Sequence, residues 1–294
     1  LSQSATGKSM WDGEGRAGLA PADDGARIGR RGSLCRGRGG QRGVVLLHKV
    51  TAVQIDFSLR EITIKLVYYG PALSGKTTNL QALHRAADPS ARGRLMTLET
   101  RDDRTLFFDL LPFTFRDQSL AVRLKVFTVP GQVIHASTRR LVVQGADGIV
   151  FVADSRVSET YANAESFLDL KNNLKVHGLD VNHMPVVIQF NKRDMPGVRS
   201  DAELAELAAQ GREPVYASVA TTGQGVVETF LAVLQMTCAS MEREHGLRSK
   251  FGFDFGIFLA EVAKRLGETR CVADLVETRL GGGADLSGKE IGRE

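Results

Sequence analysis

From about residue 54 onward, hydrophobic residues fall into short, nearly unbroken runs that alternate with stretches of helical periodicity. EITIKLVYY at 61–69 has the continuous apolar character of a strand buried on both faces. TTNLQALHRAA at 77–87 reads as the helix that follows, ended by Asp88-Pro89. TLFFDLL at 105–111 and AVRLKVFTV at 121–129 predict two strands, and STRRLVVQG at 137–145 a short helix closing on Gly145. DGIVFVADS at 147–155 and MPVVIQFN at 184–191 predict two more buried strands, with ETYANAESFLDLKNNLKVHG as the helix between them. EPVYASVA at 213–220 reads as a last short strand. The helix after it lines up Val226/Val227, Phe230/Leu231, Val233/Leu234, Cys238 and Met241 on one face. This alternation predicts an α/β fold, a mostly parallel central sheet with helices on both faces.

The ends of the chain depart from that rhythm. Residues 15–43 carry glycine every few positions, almost no bulky apolar side chains and no period, so they cannot offset their ordering entropy, and the head over 1–53 is expected to be disordered. Two readings of this head stand. It is an Arg/Gly-rich tail for RNA, though without the interleaved aromatics that stack on bases, or it is upstream sequence ahead of a true start near Val50 or Val53. The core domain is expected over 54–245 and a C-terminal extension over 246–294. In that extension FGIFLAEVAKRL places Phe255, Phe258, Leu259, Val262 and Leu266 on one helical face, with Lys264 and Arg265 nearby. Most such helices pack onto their own domain, and a minority dock a partner or lie on a membrane surface. The tail from LGGGADLSG onward reads as flexible.

Charge changes the picture less than its total suggests. The net +4 hides a head with nine basic and four acidic residues, a surplus of five, so the remaining chain is close to neutral. The basic character therefore belongs to the head and gives no reason to expect nucleic acid on the folded part. No apolar run approaches the roughly 18 residues of a membrane span. Cys35, Cys238 and Cys271 lack metal-ligand spacing and are expected to be free thiols in a reducing cytoplasm.

The chemistry concentrates in three loops. Gly70-Pro71-Ala72-Leu73-Ser74-Gly75-Lys76-Thr77 fits G-x-x-x-x-G-K-[ST], placed after a strand and before a helix, with Thr78 next in line. Its glycines let backbone N–H groups surround phosphate oxygens at a helix N-terminus. Lys76 is expected to reach the β- and γ-phosphates and Thr77 to ligate Mg²⁺. Asn191-Lys192-Arg193-Asp194 begins 114 residues past Thr77, at the carboxyl edge of a buried strand. A carboxylate at Asp194 matches the two donors of the guanine edge, which adenine lacks. Lys192 is expected to cover the base, Asn191 to tie this loop to the phosphate loop, and the Ala220 amide to donate to guanine O6. Between them TVPGQ holds Gly131 and Gln132 where a D-x-x-G element would present an amide and a water-orienting glutamine, but Thr128 replaces the aspartate.

SLREITIKLVYYGPALSGKTTNLQ, ETRDDRTLFFDLLP, TVPGQ, LVVQGADGIVFVADS and VIQFNKRDMP together resemble the bacterial gliding-motility GTPases of the MglA type, within the Ras-like superfamily. The likeness covers roughly residues 54–243, and the Thr128 replacement is itself a mark of that family. It implies a Ras-like P-loop fold and a cytoplasmic GDP/GTP switch for polarity or motility, recruited to a cell pole through its partners. It also implies a Roadblock-fold activator. The family's Arg-Thr pair falls on Arg104 and Thr105, so the resemblance implies Arg104 as an arginine finger from within the chain and Thr105 as a second Mg²⁺ ligand. Asp109 is the nearest acid that could hold Mg²⁺-bound water. Ala72 departs from the superfamily, which commonly has Gly there.

Two rival readings use the same loop. A phosphotransferase would need an acceptor pocket and a basic lid, and would leave Asn191-Lys192-x-Asp194 unexplained. A scaffold that binds GTP with little or no hydrolysis and docks partners is favoured by Ala72 and opposed by Gln132 and Arg104. The base assignment yields the first prediction. GTP and GDP bind far more tightly than ATP, and Asp194→Asn shifts preference toward xanthine nucleotides, whose C2 carbonyl accepts from an amide. Competition binding checks this, and comparable ATP affinity in the unaltered protein would remove the guanine assignment.

Overall fold

The computed structural model describes residues 54–56, 61–90, 92–97, 109–116, 121–131 and 136–277. The head, the tail, Cys35, Arg104, Thr105 and Gln132 lie outside these residues, as does the first half of the strand expected at 105–111.

The strands are β1 (Gln54–Asp56), β2 (Glu61–Tyr69), β3 (Met96–Thr97), β4 (Asp109–Arg116), β5 (Ala121–Thr128), β6 (Gly148–Asp154), β7 (Val186–Asn191) and β8 (Val215–Ala217). They form one sheet in the order β3-β4-β5-β2-β6-β7-β8, with β1 beside the start of β2. From β5 to β8 all neighbours are parallel, while β4 and β3 continue antiparallel at one edge. β5 pairs β2 from Glu61↔Ala121 to Tyr68↔Thr128, and β6 joins the other side of β2 only from Leu66. β1 fills the ladder below that point, with Gln54 opposite Thr63.

The helices are α1 (Lys76–Ala86), α2 (Ala136–Val143), α3 (Thr160–Val176), α4 (Asp201–Gln210), α5 (Val226–His245), α6 (Leu247–Phe251), α7 (Phe255–Arg265) and α8 (Val272–Val276). Successive strand residues face opposite sides, so β2 contributes to two cores. Ile62, Ile64, Leu66 and Tyr68 join α1, α5 and α7 on one face; Val67 and Tyr69 join α2 and α3 on the other. All seven residues of β6 are buried, as a strand covered on both faces requires.

Three features differ from the sequence expectation. β4 runs through Pro112 to Arg116, because the proline's carbonyl and missing N–H face the outer edge. There the carbonyl accepts from Gly93 N–H at 2.9 Å, and the ladder to β5 loses nothing. A helix at Asp201–Gln210 has no counterpart in the sequence reading, although Ser200 and Glu203 form a capping box. The extension holds two five-residue helices, α6 and α8, besides the amphipathic α7.

α7 begins where Asp254 accepts from Gly256 N–H at 2.8 Å and Ile257 N–H at 3.3 Å. It buries Phe258, Leu259, Val262 and Ala263 in the same core as β2 and α5. Phe258 meets Phe115 of β4 edge-on at 5.2 Å between centroids. The helix therefore covers the sheet. Phe258→Ala is expected to lower the unfolding free energy by about 3–5 kcal/mol, as for other buried phenylalanines. Chemical denaturation measures this; a loss under about 1 kcal/mol, the range of near-surface changes, would mean that α7 contributes little to the core.

Candidate functional site

The site is built at the carboxyl ends of β2, β6, β7 and β8. After Tyr69 the chain turns at Gly70, whose φ of 145° and close approach exclude a side chain; a Cβ there would lie 2.2 Å from the Val152 carbonyl oxygen. Pro71 and Ser74 are buried, whereas Ala72 and Leu73 are exposed. Gly75 (φ 98°) caps α1, and a Cβ on it would lie 2.2 Å from Asn191 Nδ2. Gly131 comes equally close to the same loop, since a Cβ on it would sit 2.4 Å from Ala72 N. α1 starts with no side-chain cap and no acidic residue in its first turn, so its end is positive and its first amide groups are turned outward. Thr77 is exposed and Thr78 half-buried in that first turn.

Lys76 is buried and donates from Nζ to the Gly70 carbonyl at 2.9 Å and the Pro71 carbonyl at 2.6 Å. An ammonium has three donors, so one remains for an anion. Burial, reinforced by the positive charges of Arg139 and Lys192, brings its pKa down to about 7.

Asn191 joins three loops. Its Nδ2 donates to the Ser74 carbonyl at 2.8 Å, and its Oδ1 accepts from Ala220 N–H at 2.9 Å and from the Ser218 hydroxyl at 3.1 Å. The Ala220 amide expected to meet guanine O6 is thus engaged with Asn191. Lys192 has a left-handed backbone (φ 66°), and its Nζ donates to Asp154 Oδ2 at 2.7 Å. The Asp194 carboxylate is exposed and makes no hydrogen bond among the described residues. Leu73 (φ 61°) and Lys192 are the non-glycine residues with positive φ among those described, at about 1–3 kcal/mol of strain each. Both lie in the loops that Asn191 connects.

A second set of side chains had no signal in the sequence reading. Arg139 of α2 is buried and donates from Nε to Asp169 Oδ2 of α3 at 2.7 Å. Tyr69, the residue before Gly70, donates to the same carboxylate oxygen and accepts from Asn173 Nδ2 at 2.9 Å. These positions are scattered in sequence and meet only because α2 and α3 cover the same sheet face.

The backbone of Asp109 lies in β4 opposite Thr97, and Thr128, in the place of the missing aspartate, is buried at the end of β5. Among the described residues no group of three or more His, Cys, Asp or Glu side chains could cage a metal. Magnesium needs no such cage, because it keeps several waters and is bound through one or two protein oxygens together with substrate phosphates, so a single exposed hydroxyl such as that of Thr77 is a compatible donor. Thr77 follows Lys76 in the first turn of α1. Cys238 is buried and Cys271 exposed, both free. No helix of the described residues is long and apolar enough to cross a membrane.

The buried lysine makes stability depend on pH in a definite direction. With its folded pKa near 7 and its ordinary value 10.5, the unfolded chain binds more protons between those values. Lys76 therefore destabilises the fold fully below about pH 7, and that penalty fades as pH rises toward 10.5. The unfolding free energy of the wild type relative to Lys76→Met should rise over this window, as denaturation at pH 7 and at pH 9 would register. A difference that stays flat or falls contradicts the desolvated state of the lysine.

No protein-family model matches the chain. It is 43% identical over 190 residues to the mutual gliding-motility protein MglA of Myxococcus xanthus, covering 64% of this chain and 97% of that protein. It is 30% identical over 97 residues to the GTPase Der of Halorhodospira halophila, a match over 33% of this chain and 18% of that protein. A match at that identity over nearly the whole of the Myxococcus protein, on a mostly parallel sheet whose strand β2 feeds a glycine-bounded loop and helix, leads to one conclusion: this chain belongs to the MglA-type gliding-motility GTPases and has their Ras-like P-loop fold.

Proposed function

We propose that this GTPase is a GDP/GTP switch that hydrolyses GTP at the 70–77 loop and governs cell polarity or motility through partners that read its nucleotide state. The observation that carries the reading is the Asn191 side chain, which joins the phosphate loop at Ser74 to the loops at 191–194 and 218–220. A phosphate site and a base site held at a fixed separation are what a nucleoside polyphosphate needs.

In this reading Lys76 and the amides of the 70–78 loop bind phosphate oxygens, and Asp194 pairs with the guanine edge under the stem of Lys192. Gly131 presents an amide to the γ-phosphate, and Gln132 orients the attacking water. Arg104 approaches as negative charge builds on the γ-phosphate and bridging oxygens, so it lowers the barrier more than it strengthens binding. Thr77 and Thr105 are the residues that would hold magnesium, which when bound neutralises charge across the β- and γ-phosphates. Segments near 96–109 and 128–145 change with the nucleotide and offer the surface for a Roadblock-fold activator and for effectors. The similarity to a gliding-motility protein of Myxococcus xanthus supports the motility side of this reading.

Single-turnover GTP hydrolysis, with and without a Roadblock-fold activator, tests this reading. Arg104→Ala should leave GTP affinity within a few-fold and slow hydrolysis by roughly 10³-fold or more, the scale of a supplied arginine in other GTPases. Gln132→Leu should slow it through the failure to orient water. Full rescue of Arg104→Ala by the activator would assign the finger to the partner. Normal hydrolysis by both variants would overturn the catalytic assignment and favour a scaffold that reads GTP.

A further inference from the structure

Asp154 closes β6 opposite Asn191 in the β6–β7 ladder, and its side chain is 4% exposed. Its carboxylate is surrounded by donors. Oδ1 accepts from Arg156 N–H and Arg156 Nε, both at 3.1 Å, and Oδ2 accepts from an Arg156 terminal nitrogen at 2.8 Å and from Lys192 Nζ at 2.7 Å. Burial works against the charge, but these hydrogen bonds from Arg156 and Lys192 outweigh it and hold the carboxyl down at about 2. The backbone is held as firmly: Asp154 N–H donates to Asn163 Oδ1 at 3.0 Å, and Asn163 Nδ2 donates to the Asp154 carbonyl at 2.9 Å. The result is a fixed anion at the rim of the base loop.

The backbone around Lys192 is already secured without Asp154. Arg193 N–H donates to the Ser218 carbonyl at 3.1 Å, and Met195 N–H to the Lys192 carbonyl at 3.1 Å. Val157 N–H donates to Gly197 and Arg199 N–H to Ser155, at 3.0 and 2.9 Å. None of these bonds restrains the four-carbon stem of Lys192, which carries large rotamer freedom. Asp154 does so by anchoring its far end. A side chain ordered in advance does not lose that freedom when a ligand arrives.

We propose that Asp154 is a positioning residue for the nucleotide base, holding Lys192 extended so that its alkyl stem forms a ready-made cover for the purine ring. The inference rests on the assignment of residues 191–194 as the base loop. Arg156 supplies the second cation, so the pair can hold Lys192 without leaving a buried negative charge uncompensated.

A double-mutant cycle on the full chain tests it, read by the dissociation rate of fluorescently labelled GDP. Lys192→Met and Asp154→Asn should each speed release about tenfold, the effect of losing one charged contact's net worth. The double variant should release no faster than Lys192→Met alone, and Asp154→Asn should melt within a few degrees of the wild type in the nucleotide-free state. Unchanged release from Asp154→Asn, or a further acceleration when it is added to Lys192→Met, overturns the proposal, because Asp154 would then act through the loop or not at all. Unchanged release from Lys192→Met would instead refute the base-loop assignment on which the proposal stands. If Asp154→Asn does not fold, the same cycle with Asp154→Glu, which keeps the charge but displaces it, carries the same outcomes.

Discussion

Asn191 offers one amide donor group and one carbonyl oxygen, and the buried end of the sheet uses both. The donor satisfies the Ser74 carbonyl in the phosphate loop, and the acceptor takes the Ala220 amide and the Ser218 hydroxyl. Without this side chain three polar groups from two loops would lose their partner, each at a cost of about 1–3 kcal/mol in a buried setting. The constraint reaches outward. Gly75 must lack a side chain because Asn191 fills that space, and β7 must pair β6 in a register that sets Asn191 beside Asp154.

Charge at the site follows from that geometry. Lys76, Arg139 and Lys192 stand near enough for the latter two to depress the lysine's proton affinity. Each of those two is matched by a carboxylate, Arg139 by Asp169 and Lys192 by Asp154. The Arg139 pair also links α2, in the 128–145 segment, to α3 and to Tyr69 at the entry of the phosphate loop. A displacement of α2 would therefore have to break or carry with it hydrogen bonds that end one residue from Gly70.

On the other face the extension has become part of the core. Leu247, Phe253, Phe258, Val262 and Leu275 share a cluster with the strands that lead to the site. Tyr216 of β8 donates to the Val276 carbonyl at 2.5 Å, which ties α8 to the strand before the 218–220 loop. The strand that leads to the 218–220 loop is thus supported from below by residues beyond 246.

The sequence by itself determined the strands that are buried on both faces, because an unbroken apolar run such as 148–154 or 186–191 has few other ways to be satisfied. It also marked the glycine-bounded loop between β2 and α1, since glycine spacing and a Lys-Thr pair between strand and helix are local properties. It did not reveal the helix at 201–210, where apolar periodicity is weak and a single leucine, Leu204, is buried. It did not reveal a strand through Pro112, whose tolerance depends on which neighbour the missing N–H faces. Nor could it rank Asp154, Asp169, Arg139 and Tyr69 above the other charged and aromatic residues of the chain. Apart from Arg156, the partners that tie them into the site lie 30 to 100 residues away, and only the packed sheet, with α2 and α3 on one face and the β6 and β7 ends in register, brings those charges within hydrogen-bonding distance.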